Sequence, residues 1–433
     1  MNVSNGRLLC PLLEMMTNHG LNNNTSINLM VVCIHGLVSL LGILENSLII
    51  WVVGFHLKRH TVASVWVLNL AVSDFLATLT LPLFTFYLIS SHSWEIGAPL
   101  CKAQSSIFYF NMFVSAFLLA AISLDRLLLV VKPVWSQNHR SVKGAWKVCA
   151  LGWLWAALNT IPYTVFRSVI EKKDGRKLCY HDFGLYLSSE AALERDCNVR
   201  QGATAISKML LAFVFPLVVI AGSYITIVLN LRKRQLRRKQ STDLHASSRG
   251  DKNNPEPTKK RNTTSGQSHH RQLSQSFTRM VTSVIAAFVL CWAPYHIFCL
   301  IELTAQYDEE NLKLVEVGLP VAATFAFINP ILNPILYAFS CPDFFVKIRQ
   351  SLGAVFDGLL EERERSVMDP GMNLRAQTRR QSSRDVSDTT PGPLNSLPCQ
   401  LPGTQSHSPS RFFSEGCLLD DTAQESMQRV EQS

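Results

Sequence analysis

The sequence predicts an all-α membrane protein: a bundle of seven transmembrane helices, a short amphipathic eighth helix and a disordered cytoplasmic tail. Three observations lead there. Of the 433 residues, 47% are hydrophobic and 17% charged, a balance shared by soluble chains of two or three domains and by polytopic membrane proteins. Distribution separates the two. Apolar stretches of about twenty residues or more recur near 29–56, 62–90, 98–131, 143–166, 201–231, 277–303 and 314–339, each long enough to cross a bilayer. Charge then orients them. Lys58, Arg59 and His60 follow the first span, Arg126, Lys132, Arg140 and Lys143 lie between the third and fourth, and Lys347 and Arg349 follow the seventh. Basic residues gather on the cytoplasmic side, which sets the N-terminus outside and the C-terminus inside. The net charge of +9 is therefore read as a topology determinant and not as a nucleic-acid surface.

Residues 1–28 form the outer N-terminus. Asn2, Asn23 and Asn24 each begin a glycosylation triplet there. Pro11 and Glu14 interrupt the short apolar run, so no cleaved signal peptide is expected and the first span serves as the insertion signal. The CPLLEMM patch at 10–16 is odd in a solvated tail and predicts a segment folded back onto the bundle. The second span carries Asp74 near its centre and Pro82 toward its outer end, where the helix should kink. A carboxylate at that depth costs at least about 2.5 kcal/mol and must meet polar partners. Asn46, Asn111, Ser115, Asn329 and Asn333 lie at comparable depths on other spans. Together they are suited to hold water or a small cation such as sodium, or to form a fixed polar knot between helices.

From Cys101 to Arg126 a helix rises about 37 Å, more than the hydrocarbon core, so these two residues lie at opposite faces. Phe108, Asn111, Ser115 and Ile122 fall between them on one stripe, which must face protein. The 91–97 connection is short enough only for a helical hairpin. Residues 167–200 form the longest outer loop, without apolar periodicity. The fifth span holds Lys208 about 10 Å into the bilayer, where it either snorkels as an anchor or holds an acid. The 232–276 stretch, rich in Ser, Thr, Asn and basic residues, reads as a disordered cytoplasmic loop. On the sixth span Trp292, Tyr295, Cys299 and Glu302 share one face beside Pro294, either a hinge or a static kink. Residues 342–352 repeat apolar positions at helical spacing with basic ones between, the pattern of a helix lying on the inner membrane surface. Residues 353–433 read as disordered. Of the eleven cysteines, Cys10, Cys101, Cys179 and Cys197 fall on the oxidising outer side and are the disulfide candidates.

Asn46, LNLAVSD ending in Asp74, Cys101 with Cys179, Asp125-Arg126, Trp153, CWAP at 291–294 and NPILY at 333–337 together resemble the rhodopsin-like family of G-protein-coupled receptors. Residues 29–352 share the resemblance, with Leu127 departing from the Tyr usual after Asp-Arg. It implies that Asp125 and Arg126 engage the G protein, that Trp292 senses ligand, and that Tyr337 and Tyr224 rearrange on activation. It also implies a Cys101–Cys179 disulfide. Cys10 and Cys197, the outer thiols then left, are expected to pair and to pin the 10–16 patch over the pocket mouth. Arg126 can pair with Asp125, but the inner end of the sixth span reads Gln272-Leu273-Ser274-Gln275 and offers no acidic partner, so a weak inactive-state latch is expected at the inner face.

SHSWEIG at 91–97, LDRLLLVVKPVWSQNHR at 124–140, LNTIPYTVFR at 158–167 and SKMLLAF at 207–213 resemble, within that family, a chemoattractant-type receptor for a lipid carboxylic acid. That resemblance implies a pocket of Phe84, Phe108, Tyr109, Arg167, Tyr180, Lys208, Tyr295 and Glu302, with Gln104 and His181 departing from the His and Tyr expected. It also implies coupling to the inhibitory G protein at the plasma membrane, with arrestin and receptor kinases acting on the Ser/Thr-rich tail. In this scheme Glu302 partners Lys208 when no ligand is bound. The residues alone agree, since an amphipathic acid needs a cation at one end and aromatic walls for its tail. The outer acidic residues Glu171, Asp174, Asp182, Glu190, Glu194 and Asp196 would instead suit a peptide chemoattractant. A transporter would need paired broken helices and an inner-half charge chain, and a retinal pigment would need a Lys within the seventh span; neither is present. No paired catalytic geometry or metal-ligand spacing stands out, so no enzyme and no cofactor beyond the cation at Asp74 is expected.

Overall fold

The structure, a computed structural model, describes residues 9–18, 25–57, 59–187, 192–247, 263–340 and 353. Asn2, Asn23, Asn24, the amphipathic helix at 342–352 and the tail beyond 353 lie outside them, as do the side chains of 272–275 and Tyr337. The chain divides into two units at Ser340, and the description below concerns the first.

Helix α1 (Pro11–Asn18) precedes α2 (Thr25–Trp51), α3 (Val62–Ile89), α4 (Ala98–Val131), α5 (Pro133–His139) and α6 (Val142–Val165). A hairpin of β1 (Arg167–Glu171) and β2 (Lys177–His181) leads to α7 (Leu193–Met209), α8 (Phe215–Ser247), α9 (Thr263–Thr304) and α10 (Glu309–Ser340). Seven segments are long and apolar enough to span: Leu29–His56, Val62–Ile89, Ala98–Val131, Val142–Val165, Leu193–Arg234, Ile285–Thr304 and Glu309–Pro334. Helix α4 packs against α3, α6 and α8, while α10 contacts α9, α2 and α3. The stripe predicted on α4 turns inward: Cys101, Phe108, Asn111 and Ser115 are buried.

Local chemistry sets the helix ends. Thr61 caps α3 by accepting from the Ser64 N–H while the Ser64 hydroxyl accepts from the Thr61 N–H, a reciprocal box. Ser141 caps α6 through the Gly144 N–H. Gly97, at φ 87°, turns the chain into α4, with Pro99 in its first turn. In the fifth span a π-turn at Leu210–Val214 separates α7 from α8. Pro216 has no N–H for the Ala212 carbonyl, and the Phe215 N–H instead reaches Leu210. Helix α3 runs on through Pro82.

Two sequence expectations are corrected. The outer loop at 167–200 is ordered as a hairpin, and the fifth helix already begins at Leu193. Glu194 and Asp196 suit its first turn, where exposed N–H groups favour negative charge, and Cys197 is tied there by a disulfide. The 232–276 stretch is also partly helical, because α8 continues to Ser247 and α9 starts at Thr263. The Arg, Lys, Gln and Leu residues that follow the fifth span favour helix strongly enough to extend it. Helix α2 gives way at its inner end to a π-turn over Val52–His56.

Both expected disulfides are formed, Cys10–Cys197 and Cys101–Cys179. The 10–16 patch is the buried helix α1. Its Leu13 packs with Ile170, Phe183 and Cys197, while Leu12 and Met16 pack with Ala305, Leu312 and Val315. Helix α1 therefore bridges the hairpin and the outer ends of α9 and α10. On the other side Trp94 is buried against the Cys101–Cys179 bridge, with its backbone N–H on the Lys177 carbonyl at 2.8 Å.

Gly42 on α2 marks the tightest approach to α3. A Cβ added there would lie 2.4 Å from Thr78 Cγ2 and 3.3 Å from Ile331 Cγ2. Thr78 cannot turn away freely, since its hydroxyl is bonded to the Asp74 and Phe75 carbonyls at 3.0 Å each. Gly42→Ala is therefore expected to destabilise the bundle by about 1–3 kcal/mol, read as a lower thermal midpoint of the detergent-solubilised protein. An unchanged midpoint would show that the two helices separate without cost.

Candidate functional site

Two basic side chains converge beneath the hairpin. Arg167 and His181 are directly paired across the antiparallel strands, which points them to the same face. An Arg167 Nη1 hydrogen is donated to His181 Nδ1 at 3.2 Å, so the imidazole keeps its proton on Nε2. That Nε2 is buried without a partner and lines a cavity of about 480 Å³ counted to its open mouth. Burial pushes the His181 pKa well below its usual value, and the charges of Arg167 and Lys208 push the same way. Burial also lowers that of Arg167.

Lys208 enters the cavity from α7. It is 5% exposed, and its ammonium lies over the rings of Tyr295, Tyr109 and Tyr163 at 5.1, 5.4 and 5.7 Å, donating to Cys299 Sγ at 3.1 Å. The rings form a fixed box. Tyr109 stacks on Tyr163 at 4.2 Å and accepts from the Tyr295 hydroxyl at 3.1 Å. The expected Lys208–Glu302 pair is not formed, because Glu302 accepts instead from the Tyr180 hydroxyl. Glu302 stands seven residues outward of Tyr295 and is reached by Tyr180 of the hairpin. Among the described residues neither Arg167 nor Lys208 meets a carboxylate. Burying an unpaired charge is costly, and Glu302 acts on Arg167 only through space.

Of the eight residues expected in the pocket, Tyr109, Arg167, Tyr180, Lys208, Tyr295 and Glu302 line the cavity. Phe84 and Phe108 do not. Phe84 packs on His35 and Tyr87, and Phe108 fills the layer below between Tyr295, Trp292 and Phe327. The lining residues that sequence reasoning did not single out are Tyr163, Phe183, Gln201, Thr204, Ala205 and Leu319. Gln201, Thr204 and Ala205 precede Lys208 by seven, four and three residues, so helical spacing from Lys208 would have found them.

Below Phe108, Asp74 is fully buried. Its Oδ1 accepts from Asn111 at 2.9 Å and Ser115 at 3.4 Å, and its Oδ2 from Asn333 at 2.7 Å. Asn46 turns elsewhere, donating to the Gly42 and Pro330 carbonyls, the second of which has no helical donor because Pro334 lacks an N–H. Asn329 Nδ2 and Asn333 Oδ1 are buried without partners. Trp292 stands between this layer and the pocket, 1% exposed, with Pro294 inside the same helix. Trp153 donates to Asn69 at 3.0 Å, and Tyr224 is buried.

At the inner end the expected pairing changes. Asp125 is gripped by Arg140, with Nε on Oδ1 at 2.9 Å and Nη2 on Oδ2 at 3.2 Å. The short helix α5 ends at His139, which delivers Arg140 to the carboxylate in the two-pronged geometry a guanidinium favours. Asp125 thus has in Arg140 a bidentate partner that the sequence did not single out.

A seven-span bundle with a carboxylate knot at mid-depth and a disulfide-anchored hairpin over an aromatic, cationic pocket is the architecture of a membrane receptor. The chain belongs to the rhodopsin family of seven-transmembrane, G-protein-coupled receptors, whose family model, described as "7 transmembrane receptor (rhodopsin family)", matches residues 45–337. It is 44% identical over 387 residues to prostaglandin D2 receptor 2 of Mus musculus, covering 88% of this chain and 90% of the mouse protein. With prostaglandin D2 receptor 2 of Rattus norvegicus the identity is 43% over 370 residues, 85% of this chain and 83% of the rat protein. Chemerin-like receptor 1 of Rattus norvegicus is 34% identical over 320 residues, 72% of this chain and 76% of that receptor. These are receptors and not enzymes.

His181 sets a pH dependence. Its folded-state pKa lies below the unfolded value of about 6.5, so the unfolded chain binds the extra proton and the stability from neutral burial is lost as pH falls through that value. His92, lowered chiefly by burial, acts in the same direction. Asp174 and Glu95, held low mainly by hydrogen bonds from Arg176 and Lys177, titrate only in stronger acid. The thermal midpoint should fall between pH 7.5 and 5.5, and His181→Phe should flatten part of that slope. Parallel slopes for the two proteins would show that His181 does not titrate on unfolding.

Proposed function

We propose that this receptor binds a lipid carboxylic acid, prostaglandin D2 in the first instance, and signals through the inhibitory G protein in chemotaxis and immune responses. The single observation that supports it most is Lys208, a buried cation in an aromatic box with no carboxylate within ion-pair distance, with the half-buried Arg167 lining the same cavity. A carboxylate entering there supplies the missing charge, and Tyr109, Tyr163 and Tyr295 offer an apolar wall to the first carbons of the chain. Relatives named prostaglandin D2 receptor 2 at 43–44% identity support the same ligand.

In this reading the N-terminus and its acceptors Asn2, Asn23 and Asn24 face outward at the plasma membrane. Ligand pressure on Tyr295 passes to Trp292 beside Pro294, and from there to Asp74, Asn111, Ser115 and Asn333, then Tyr224 and Tyr337. The orphaned Asn333 Oδ1 beside the Asp74 carboxylate and the Ser115 hydroxyl forms an oxygen-donor set suited to a sodium ion. Asp125 and Arg126 face the G protein, and the Ser/Thr-rich tail serves receptor kinases and arrestin. A peptide ending in a free carboxylate is the second reading, favoured by the similarity to chemerin-like receptor 1. Against it, helix α1 is packed between the hairpin and the outer ends of α9 and α10, where a bulky peptide would have to enter.

The test pairs ligands in cells that report inhibitory G-protein activation, comparing prostaglandin D2 with peptide chemoattractants. Lys208→Ala should cost about 1.5–3 kcal/mol, roughly tenfold to a hundredfold in affinity for prostaglandin D2, and much less for its neutral methyl ester. Equal losses for acid and ester would mean that Lys208 shapes the pocket without holding a carboxylate. No response to the acid in the intact receptor would remove the ligand assignment.

A further inference from the structure

The contact between Lys208 and Cys299 has a chemistry of its own. Cys299 is a free cysteine, 2% exposed, on the inward face of α9. Its sulfur lies 3.1 Å from the Lys208 amine, and both side chains line the cavity that opens outward. The other described free cysteines are placed differently: Cys33 is exposed on the first span, and Cys149 and Cys291 are buried away from the cavity lining. Among the described residues, Cys299 is the free thiol that a lysine amine touches, and that amine has no carboxylate to hold it elsewhere.

We propose that Lys208 and Cys299 form an oxidation site, which a peroxide converts to a nitrogen–sulfur cross-link that removes the cation from the pocket. The cavity mouth lies on the side expected to be oxidising, and hydrogen peroxide is small and neutral enough to enter. In the first step the Cys299 sulfur attacks peroxide. An S–O bond forms, the O–O bond breaks, sulfur is oxidised by two electrons, and one water leaves with a sulfenic acid remaining on Cys299. Sulfenic acids condense with nearby thiols or nitrogens. No second free cysteine lines the cavity, and Lys208 Nζ is already in contact. After losing one proton to water, Nζ attacks the sulfur. The N–S bond forms, the S–O bond breaks, and hydroxide departs with the second amine proton as water. The sum is one thiol, one ammonium and one peroxide giving one sulfenamide, two waters and one proton. A thiol reductant reverses it by attack on sulfur, restoring both side chains. Crystal-like order is not required: the flexible stem of Lys208 has only to close from contact to bond.

The consequence for ligand binding rests on the carboxylate reading above, while the bond itself does not. The experiment treats the full-length receptor in lipid nanodiscs with hydrogen peroxide, digests it without reductant and maps the peptides by mass spectrometry. The expected product joins the Lys208 and Cys299 peptides at their summed mass less two hydrogens, and it separates on reduction. In parallel, prostaglandin D2 affinity should fall about tenfold to a hundredfold and recover with reductant. In Cys299→Ser the cross-link should be missing, and whatever affinity that variant has should not respond to peroxide. Recovery of Cys299 unmodified, or as sulfinic or sulfonic acid with Lys208 free, overturns the proposal. A cross-link that forms without loss of acid binding would confirm the oxidation site and refute Lys208 as the carboxylate's anchor.

Discussion

Polar groups at bilayer depth have no water to turn to, and much of this structure follows from that constraint. Asp74 is satisfied by three side chains from two other helices, which fixes how α3, α4 and α10 meet. Asn46 and Trp153 act in the same way toward α10 and α3. Lys208 is the exception, since its neighbours are a sulfur and three ring faces, weak partners that leave its charge available. The contrast divides the interior into a lower layer that holds helices together and an upper layer left for something to be added.

The outer surface closes that upper layer by covalent means. Two disulfides link the hairpin to α4 and α1 to α7, and apolar side chains of α1 fill the gap toward α9 and α10. A hairpin of five-residue strands is marginal by itself, and here it is supported by the Trp94 cluster beneath it. Arg167 and His181 owe their shared direction to that strand register. The cap is thus part of the binding architecture as well as its cover.

Much of this was legible from residue order. Span positions follow from hydropathy, Asp74 from the cost of a buried charge, and the inward stripe of α4 from spacing. Six of the eight residues that the resemblance groups together line one cavity. What escaped depended on distances between segments remote in sequence. Glu302 was matched to Lys208 because their charges are opposite, yet Tyr180, 122 positions away, reaches the carboxylate instead. Arg140 takes Asp125 because α5 intervenes, and two turns of helix in a loop leave little trace in composition. Phe84 has the right chemistry for a pocket wall but faces His35. The ordered hairpin was read as loop because five-residue strands carry too few alternations to register.

The π-turn at Leu210–Val214 separates Lys208 from the cytoplasmic half of its helix. A turn of this kind carries one residue more than an α-turn, so the two halves differ in phase by about 100°. The rotational setting of the ammonium is thereby uncoupled from that of Tyr224 and the inner surface. Loss of one residue within the turn would leave a regular helix of sound hydropathy whose pocket face had rotated toward lipid. Chain length over these five positions is consequently as much a determinant of what this receptor recognises as the identity of any side chain in the cavity.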